Sequence, residues 1–427
     1  MRPLPAGRAR WFIAIVLLGF AAILGRDFAL QIQDDHRLRT EGRMRYLRTL
    51  PLSSQRGLIL GRNGEPLAVN VPAVTIWADP RILGTERRHW QSLARTLHLT
   101  LAELAQRLRS GGADFAYLRR QVAPRLGRAV RALHLAGVGV SVSSRSYFPM
   151  GAITAPLVGF VDEDHRGAGG VEMAFNGWLA GQSGREQALL DPRGQVLQVA
   201  RVERLARPGS PIRLSISPQI QYWAYVALRA AQKHFGAANG SAVVMNVRNG
   251  QILAMVSVPS CNPNNLASCR SSADFTDNAV HQAFEPGSVM KPFAIAAALA
   301  SRSVPPTARF NVSHPLWIGG YPITDDVLHH VLNIEHILKY SSCIGTAKIA
   351  LRTPRRDIYR MYRAVGFGRH LGLGLPGATR GVLPPWQDWG KARHATIAIG
   401  YGVSVTTLQL ADAYAAIANG GYHVRPE

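Results

Sequence analysis

Apolar residues run unbroken from Trp11 to Gly25. As a helix this run is about 22 Å long, shorter than the roughly 30 Å hydrocarbon core of a bilayer. Phe28-Ala-Leu30 extends it past Arg26, whose long stem can reach the headgroup layer. Arg2, Arg8 and Arg10 precede the run with no acid among them, the charge asymmetry of a cytoplasmic N-terminus. The pattern predicts an uncleaved membrane anchor within residues 1–30. A cleaved export signal has a similar apolar length, but no small-x-small site follows Gly25. A buried core helix would leave the basic flank unexplained. No later stretch reaches 18 uninterrupted apolar residues, so a single span is expected.

Beyond the anchor, residues 31–50 are polar and arginine-rich and read as a connector. Arg56 to Ala68 alternates as strand, turn and strand about Asn63-Gly64, since both turn positions tolerate positive φ. Val71 to Pro80 reads as a further strand. Thr100-Leu-Ala-Glu103 is a capping box that opens a helix ending at Gly111-Gly112. Gly167 to Ala180 passes from a flexible turn into an amphipathic helix. Arg207-Pro-Gly-Ser-Pro211 is the clearest domain boundary. After it come a short strand, Ile212 to Ile216, and a helix from Pro218 to about His234. An antiparallel hairpin follows, Ser241 to Val247 and Gln251 to Ser257, turning at Asn249-Gly250. Ser288 to Ala300 is a nearly uncharged helix, which must be buried. Strands followed by mainly helical sequence make the fold class α+β.

Composition narrows the function classes. With 47% hydrophobic and 18% charged residues the chain is no disordered polymer. Its three cysteines, Cys261, Cys269 and Cys343, exclude a disulfide-stapled mini-fold. Forty-nine basic against 26 acidic residues leave a formal charge of +23. The arginines are scattered from Arg2 to Arg425, without zinc-finger spacing or a phosphate loop, so nucleic acid is not the expected partner. An exported chain of this charge meets anionic lipid and cell-wall polymers first.

Only five lysines occur: Lys233, Lys291, Lys339, Lys348 and Lys391. One of them stands in Glu285-Pro-Gly-Ser-Val-Met-Lys-Pro292. Ser288 opens the buried helix, and Lys291 lies one turn on, on the same face. A serine hydroxyl is a weak nucleophile until a base takes its proton, and a lysine in apolar surroundings is a candidate base. The Ser288 N–H, near a helix start, is a candidate oxyanion donor. The alternative is a capping serine beside a lysine salt bridge. Further on, Lys339-Tyr-Ser-Ser-Cys-Ile-Gly345 precedes another apolar helix. Ser341 is either a proton relay for Lys291 or the cap of that helix. His329-His330 has no carboxylate or cysteine at useful ligand spacing, and no metal site is expected.

At these residues the chain resembles the class B penicillin-binding proteins, in particular the division-specific peptidoglycan D,D-transpeptidases of Gram-negative bacteria. The likeness includes Arg56-Gly57, Arg62-Asn-Gly64 and Leu67-Ala68, then Gly169-Gly-Val-Glu172. It continues through Pro259-Ser-Cys-Asn-Pro-Asn-Asn265, Phe284 to Pro292, Tyr340-Ser-Ser-Cys343 and Gly400 to Leu410. The resemblance implies a cytoplasmic tail and membrane anchor at 1–30 and a mixed α/β pedestal of the dimerisation type at 31–206. It implies a transpeptidase domain at 207–427, an antiparallel sheet with helices like that of the serine β-lactamases. Ser288 is then the acylated nucleophile, Lys291 its base, Ser341 a catalytic partner and Cys343 a substrate-binding position. No cofactor is implied. The implied partners are peptidoglycan stem peptides, β-lactams, the membrane and other division proteins. The implied location is the inner membrane, single-pass, with the bulk of the chain periplasmic. Cys261 and Cys269, once exported, either pair or stay free.

Departures from the family pattern shape a second expectation. Cys343 replaces the asparagine of Ser-x-Asn, and sulfur is a poor hydrogen-bond partner. The third family motif, Lys-Thr-Gly, does not occur in residues 344–427. The expected domain therefore lacks its C-terminal strands. The alternative function is a catalytically impaired relative acting as a non-enzymatic interaction protein of the division complex.

Overall fold

The structure, a computed structural model, describes residues 6–28, 47–52, 54–85, 87–112, 115–190, 196–269 and 271–427. Most of the expected connector lies outside the described residues. The N-terminal apolar run forms a helix, Ala6–Phe28. Its large apolar side chains are exposed, from Trp11 at 75% to Leu24 at 65%. Among the described residues, no helix is long and apolar enough to cross a membrane.

The chain divides into two compact units that are not consecutive in sequence. The first comprises residues 1–54, 72–144 and 182–207; the second comprises 55–71, 145–181 and 208–427. The cut near Arg207 coincides with the Pro-Gly-Ser-Pro punctuation. Residues 55–71 and 145–181, however, pack in the same unit as 208–427, although they precede that boundary.

In the first unit, Leu47–Leu52, Gly184–Leu190 and Val196–Arg204 form an antiparallel sheet, with Leu50 opposite Glu186. The Val71 strand is not separate: one strand runs over Pro66–Ala78, and its later residues pair with Ala116–Val122. The helix Leu101–Ser110 starts at Thr100, whose side chain accepts from the Glu103 N–H while the Glu103 side chain accepts from the Thr100 N–H. It buries Leu104 and Leu108 among Leu83, Leu93, Leu97 and Leu118.

The second unit centres on the expected hairpin, Gly240–Met245 with Ile252–Val258, Val243 opposite Met255. The second strand is almost wholly buried, because the helix Pro218–Phe235 covers it, placing Tyr225 against Val256 and Val258. Gln221 locks the two together: its Nε2 donates to the Met255 carbonyl at 2.8 Å and its Oε1 accepts from the Met255 N–H at 2.9 Å. Two local expectations change. The strand after the boundary is only Ile212–Arg213, parallel to Ile59–Leu60. The Gly167–Ala180 segment forms two short helices, Gly170–Ala174 and Asn176–Leu179, which meet at Phe175.

The nearly uncharged helix, Lys291–Ala300, lies in the same unit. One of its faces buries Phe293, Ala294 and Ala297 against Ile358, Tyr362, Phe367 and Trp389. The other packs Ile295 and Ala298 on Ile337, Ile344 and Ile349. Small residues on both faces let neighbouring helices approach closely, and burial of this surface is the main stabilisation here.

Arg56 ties residues 55–71 to residues 145–181 within this unit. Its Nε donates to Glu172 Oε2 at 2.6 Å, with the side chains 2% and 1% exposed. Its other nitrogens donate to the carbonyls of His165 and Glu172 and to Asn176 Oδ1 at 2.9–3.0 Å. Burial pushes the Glu172 carboxyl above its usual range, while Arg56 pulls it back down. Removing one partner of such a pair leaves an uncompensated buried charge. Arg56→Ala is therefore expected to lower stability by about 3–5 kcal/mol, read as a fall in Tm. The exposed Arg229→Ala should move stability by less than about 0.5 kcal/mol. Equal Tm values for the two variants would remove the ion pair from this role.

Candidate active site

Ser288 does not sit in the α-helix itself. Gly287–Met290 forms one turn of 3-10 helix, and the α-helix begins at Lys291. Pro292 falls in its first turn, where a missing N–H costs least. Residues three apart eclipse in a 3-10 turn, so Ser288 and Lys291 project from one side of it. The Lys291 N–H donates to the Ser288 carbonyl. Ser288 is exposed, whereas Lys291 is 1% exposed.

The turn is pinned from several directions. Gly287 has φ +63°, which glycine adopts without a Cβ penalty, and its N–H donates to the Gly400 carbonyl at 3.1 Å. A Cβ on Gly400 would lie 2.0 Å from the Gly287 carbonyl oxygen, so that position admits only glycine. The Gly402 N–H donates to Glu285 Oε1 at 2.8 Å, and Ala283–Phe284 pairs with Val405–Thr406. The Tyr414 hydroxyl donates to the Val289 carbonyl at 2.8 Å.

The buried Lys291 amine is held by the second sequence cluster. Nζ donates to the Ser341 carbonyl, to Ser341 Oγ at 3.0 Å and to Cys343 Sγ at 3.2 Å. None of these three acceptors is a carboxylate. Ser341 has φ +54°, an uncommon conformation for a residue with a Cβ, and in it both serine oxygens meet the same amine. The helix cap falls to the next residue: Ser342 Oγ accepts from the Gly345 N–H at 2.9 Å. Ser341 is thus not the capping serine of Cys343–Arg352.

Asp325 was not singled out in the sequence, yet it fixes this turn. Its Oδ2 accepts from Ser342 Oγ at 2.5 Å and its Oδ1 from the Ile344 N–H at 2.9 Å. A carboxylate is favourable at a helix N-terminus, but no spacing rule links residue 325 to 342. Upstream, Cys261 and Cys269 are disulfide-bonded, which the sequence had left open, and Cys343 is free. Asn264, inside the closed loop, bonds both the N–H and the carbonyl of Phe148 at 2.8–2.9 Å. Among the described residues no group of three His, Cys, Asp or Glu is placed to hold a metal. His329 stacks on Tyr340 with ring centroids 4.4 Å apart.

Together the groups form an exposed hydroxyl, a buried amine one turn behind it, and a second serine bonded to that amine. This arrangement suits acyl transfer through a serine ester. Residues 51–214 match the penicillin-binding protein dimerisation domain family and residues 240–427 the penicillin binding protein transpeptidase domain family. The chain is 38% identical over 412 residues to the probable peptidoglycan D,D-transpeptidase PbpC of Pseudomonas aeruginosa, covering 96% of this chain and 73% of that one. It is 36% identical over 415 residues to the peptidoglycan D,D-transpeptidase FtsI of Escherichia coli, covering 96% and 70%. Among solved structures, penicillin binding protein 3 from Mycobacterium tuberculosis complexed with aztreonam superposes with a TM-score of 0.65. That match has 25% identity and covers 88% of this chain and 67% of that one.

Sulfur at position 343 is the weakest of the three acceptors. Cys343→Asn should speed acylation by a fluorescent penicillin by about fivefold to tenfold, the worth of roughly 1 kcal/mol of hydrogen bonding. Asp325→Ala should slow it by a similar factor through loss of the turn. Rates unchanged in both variants would separate the Ser341–Cys343 turn from the chemistry.

Proposed function

The chain belongs to the class B penicillin-binding proteins, and from that premise we propose that it cross-links peptidoglycan stem peptides through an acyl-enzyme on Ser288. The observation that carries this reading is the buried Lys291 amine bonded to Ser341, one 3-10 turn behind the exposed Ser288. Ser288 Oγ attacks the carbonyl carbon of the D-Ala-D-Ala peptide bond, and Lys291 Nζ takes the hydroxyl proton. The negative charge that develops on the carbonyl oxygen is met by the Ser288 N–H. As the C–N bond breaks, a proton passes back through Lys291 or Ser341 to the departing D-alanine amine. The amine of a neighbouring stem peptide then attacks the ester, forms the new peptide bond and returns the proton to Ser288. A β-lactam acylates the same oxygen, its ring amide standing in for the scissile bond.

In this reading residues 1–30 anchor the protein in the inner membrane, with the N-terminus cytoplasmic and the bulk of the chain periplasmic. The exposed apolar side chains from Trp11 to Leu24 and the three arginines that precede them support it. Its partners are other proteins of the septal division complex. The enzymatic reading is favoured over a purely structural division protein, because the serine–lysine pair is intact and the relatives are named as transpeptidases.

Incubation of the purified protein with a pentapeptide ending in D-Ala-D-Ala and an amine acceptor should release D-alanine and give a cross-linked product. Ser288→Ala should abolish both. No release by the native protein would favour the non-enzymatic role, and release that survives Ser288→Ala would overturn the assignment of the nucleophile.

A further inference from the structure

A groove of about 1340 Å³ lies in the second unit, lined by residues that the proposed chemistry does not use. Two helices begin there, Arg355–Ala364 and Lys391–Ala398. Their N-cap residues are Pro354 and Gly390, and neither helix start has a side-chain cap. Pro354, Arg355, Gly390 and Lys391 all line the groove, so the positive ends of two helix dipoles lie at its wall.

The lining holds four basic side chains, Arg352, Arg355, Arg356 and Lys391, and no acid. Arg352 lies over the Phe310 ring at 4.7 Å, and Arg356 Nε stands 3.8 Å from Asp357 Oδ1. Arg355 and Lys391 form no ion pair among the described residues. Four like charges gathered beside a single carboxylate, Asp357, cost free energy, which a bound anion would relieve.

His394 lines the same groove, is only 5% exposed, and its Nε2 has no hydrogen-bond partner among the described residues. Buried polar atoms are almost always paired. Burial, and after it the charge of Arg355, push this imidazole down to about 4, so at neutral pH it adds no charge but keeps one donor and one acceptor. The aromatic lining narrows the ligand. Trp317 is 67% exposed, and Trp386, half-buried, belongs to the same lining. Large flat rings left open to water suit a partner with both apolar C–H faces and polar edges.

We propose that this groove is a second binding site, for an anionic saccharide: a phosphate- or carboxylate-bearing sugar, its charge held by Arg355, Lys391 and the two helix starts, its C–H faces covered by Trp317 and Trp386. The site would let the protein hold an anionic glycan strand independently of the serine chemistry. A simple anion would need no tryptophan, and a neutral sugar would need no cation.

The test is calorimetric titration of the purified full chain at about 150 mM salt, where exposed long-range charge effects are largely screened. The probes are N-acetylmuramic acid, N-acetylglucosamine 1-phosphate, neutral N-acetylglucosamine and inorganic phosphate. At least one anionic sugar should bind tenfold or more tighter than the neutral sugar and than phosphate, and the stronger of the two identifies carboxylate or phosphate as the recognised group. The double variant Arg355→Glu/Lys391→Glu should weaken that binding at least tenfold, and Trp317→Ala, at an exposed position, severalfold. Thermal melts and penicillin labelling of Ser288 should stay at native values, which separates this site from the catalytic one. Binding of none of the four probes, phosphate binding as tightly as the sugars, or affinities unmoved by Trp317→Ala would overturn the proposal. So would a short single-stranded oligonucleotide that binds more tightly than any sugar.

Discussion

A buried lysine amine held by one turn of chain, with no carboxylate among its acceptors, is the constraint on which the catalytic centre depends. Burying an amine away from water is costly unless its donors are satisfied. Lys291 meets this cost with the carbonyl and hydroxyl of Ser341 and the sulfur of Cys343. These acceptors fix the amine's position against the Ser341 turn. The arrangement requires the left-handed turn at Ser341, and that turn requires Asp325 and the Ser342 cap. On the other side, the nucleophile's position is set by the close approach of Gly400 to Gly287. The chemistry occupies a few atoms, but three separated segments hold them.

The same logic governs the larger architecture. Residues 55–71 and 145–181 belong to the unit that carries the site, although a long stretch of the first unit lies between them in sequence. The buried Arg56–Glu172 pair with its three further hydrogen bonds ties the two segments to each other, and the pairing of Ile59–Leu60 with Ile212–Arg213 joins them to the later residues. Once the guanidinium is out of water, only a complete set of acceptors makes it tolerable. Both buried cations, Arg56 and Lys291, therefore act as fasteners whose partners come from distant segments.

Local signals are explicit in the sequence. The Thr100 capping box, the Asn249-Gly250 hairpin and the need to bury the helix after Ser288 are all encoded within a few residues. The Ser288–Lys291 spacing was also legible, because one helical turn is a local quantity. Boundaries were less so: Pro292 shifts the start of the α-helix to Lys291 and leaves Ser288 in a 3-10 turn. The choice between Ser341 and Ser342 as cap could not be made from adjacent identical residues, since it depends on a backbone angle. Asp325, Gly400 and the Arg56–Glu172 pair were invisible as contacts, because each acts across a long sequence separation without a spacing rule. The groove at Arg355 and Lys391 was hidden for the same reason, its cations indistinguishable from other scattered arginines and lysines.

The central claim is that the Lys291 amine activates the Ser288 hydroxyl. Its most direct test is the mass of the Ser288-containing peptide, followed in time after mixing the protein with benzylpenicillin, in native and Lys291→Ala forms. The account predicts a penicilloyl adduct on Ser288 of the native protein and formation slower by about a hundredfold to ten-thousandfold in the variant. An adduct that forms on Ser288 at the native rate without the amine would contradict it.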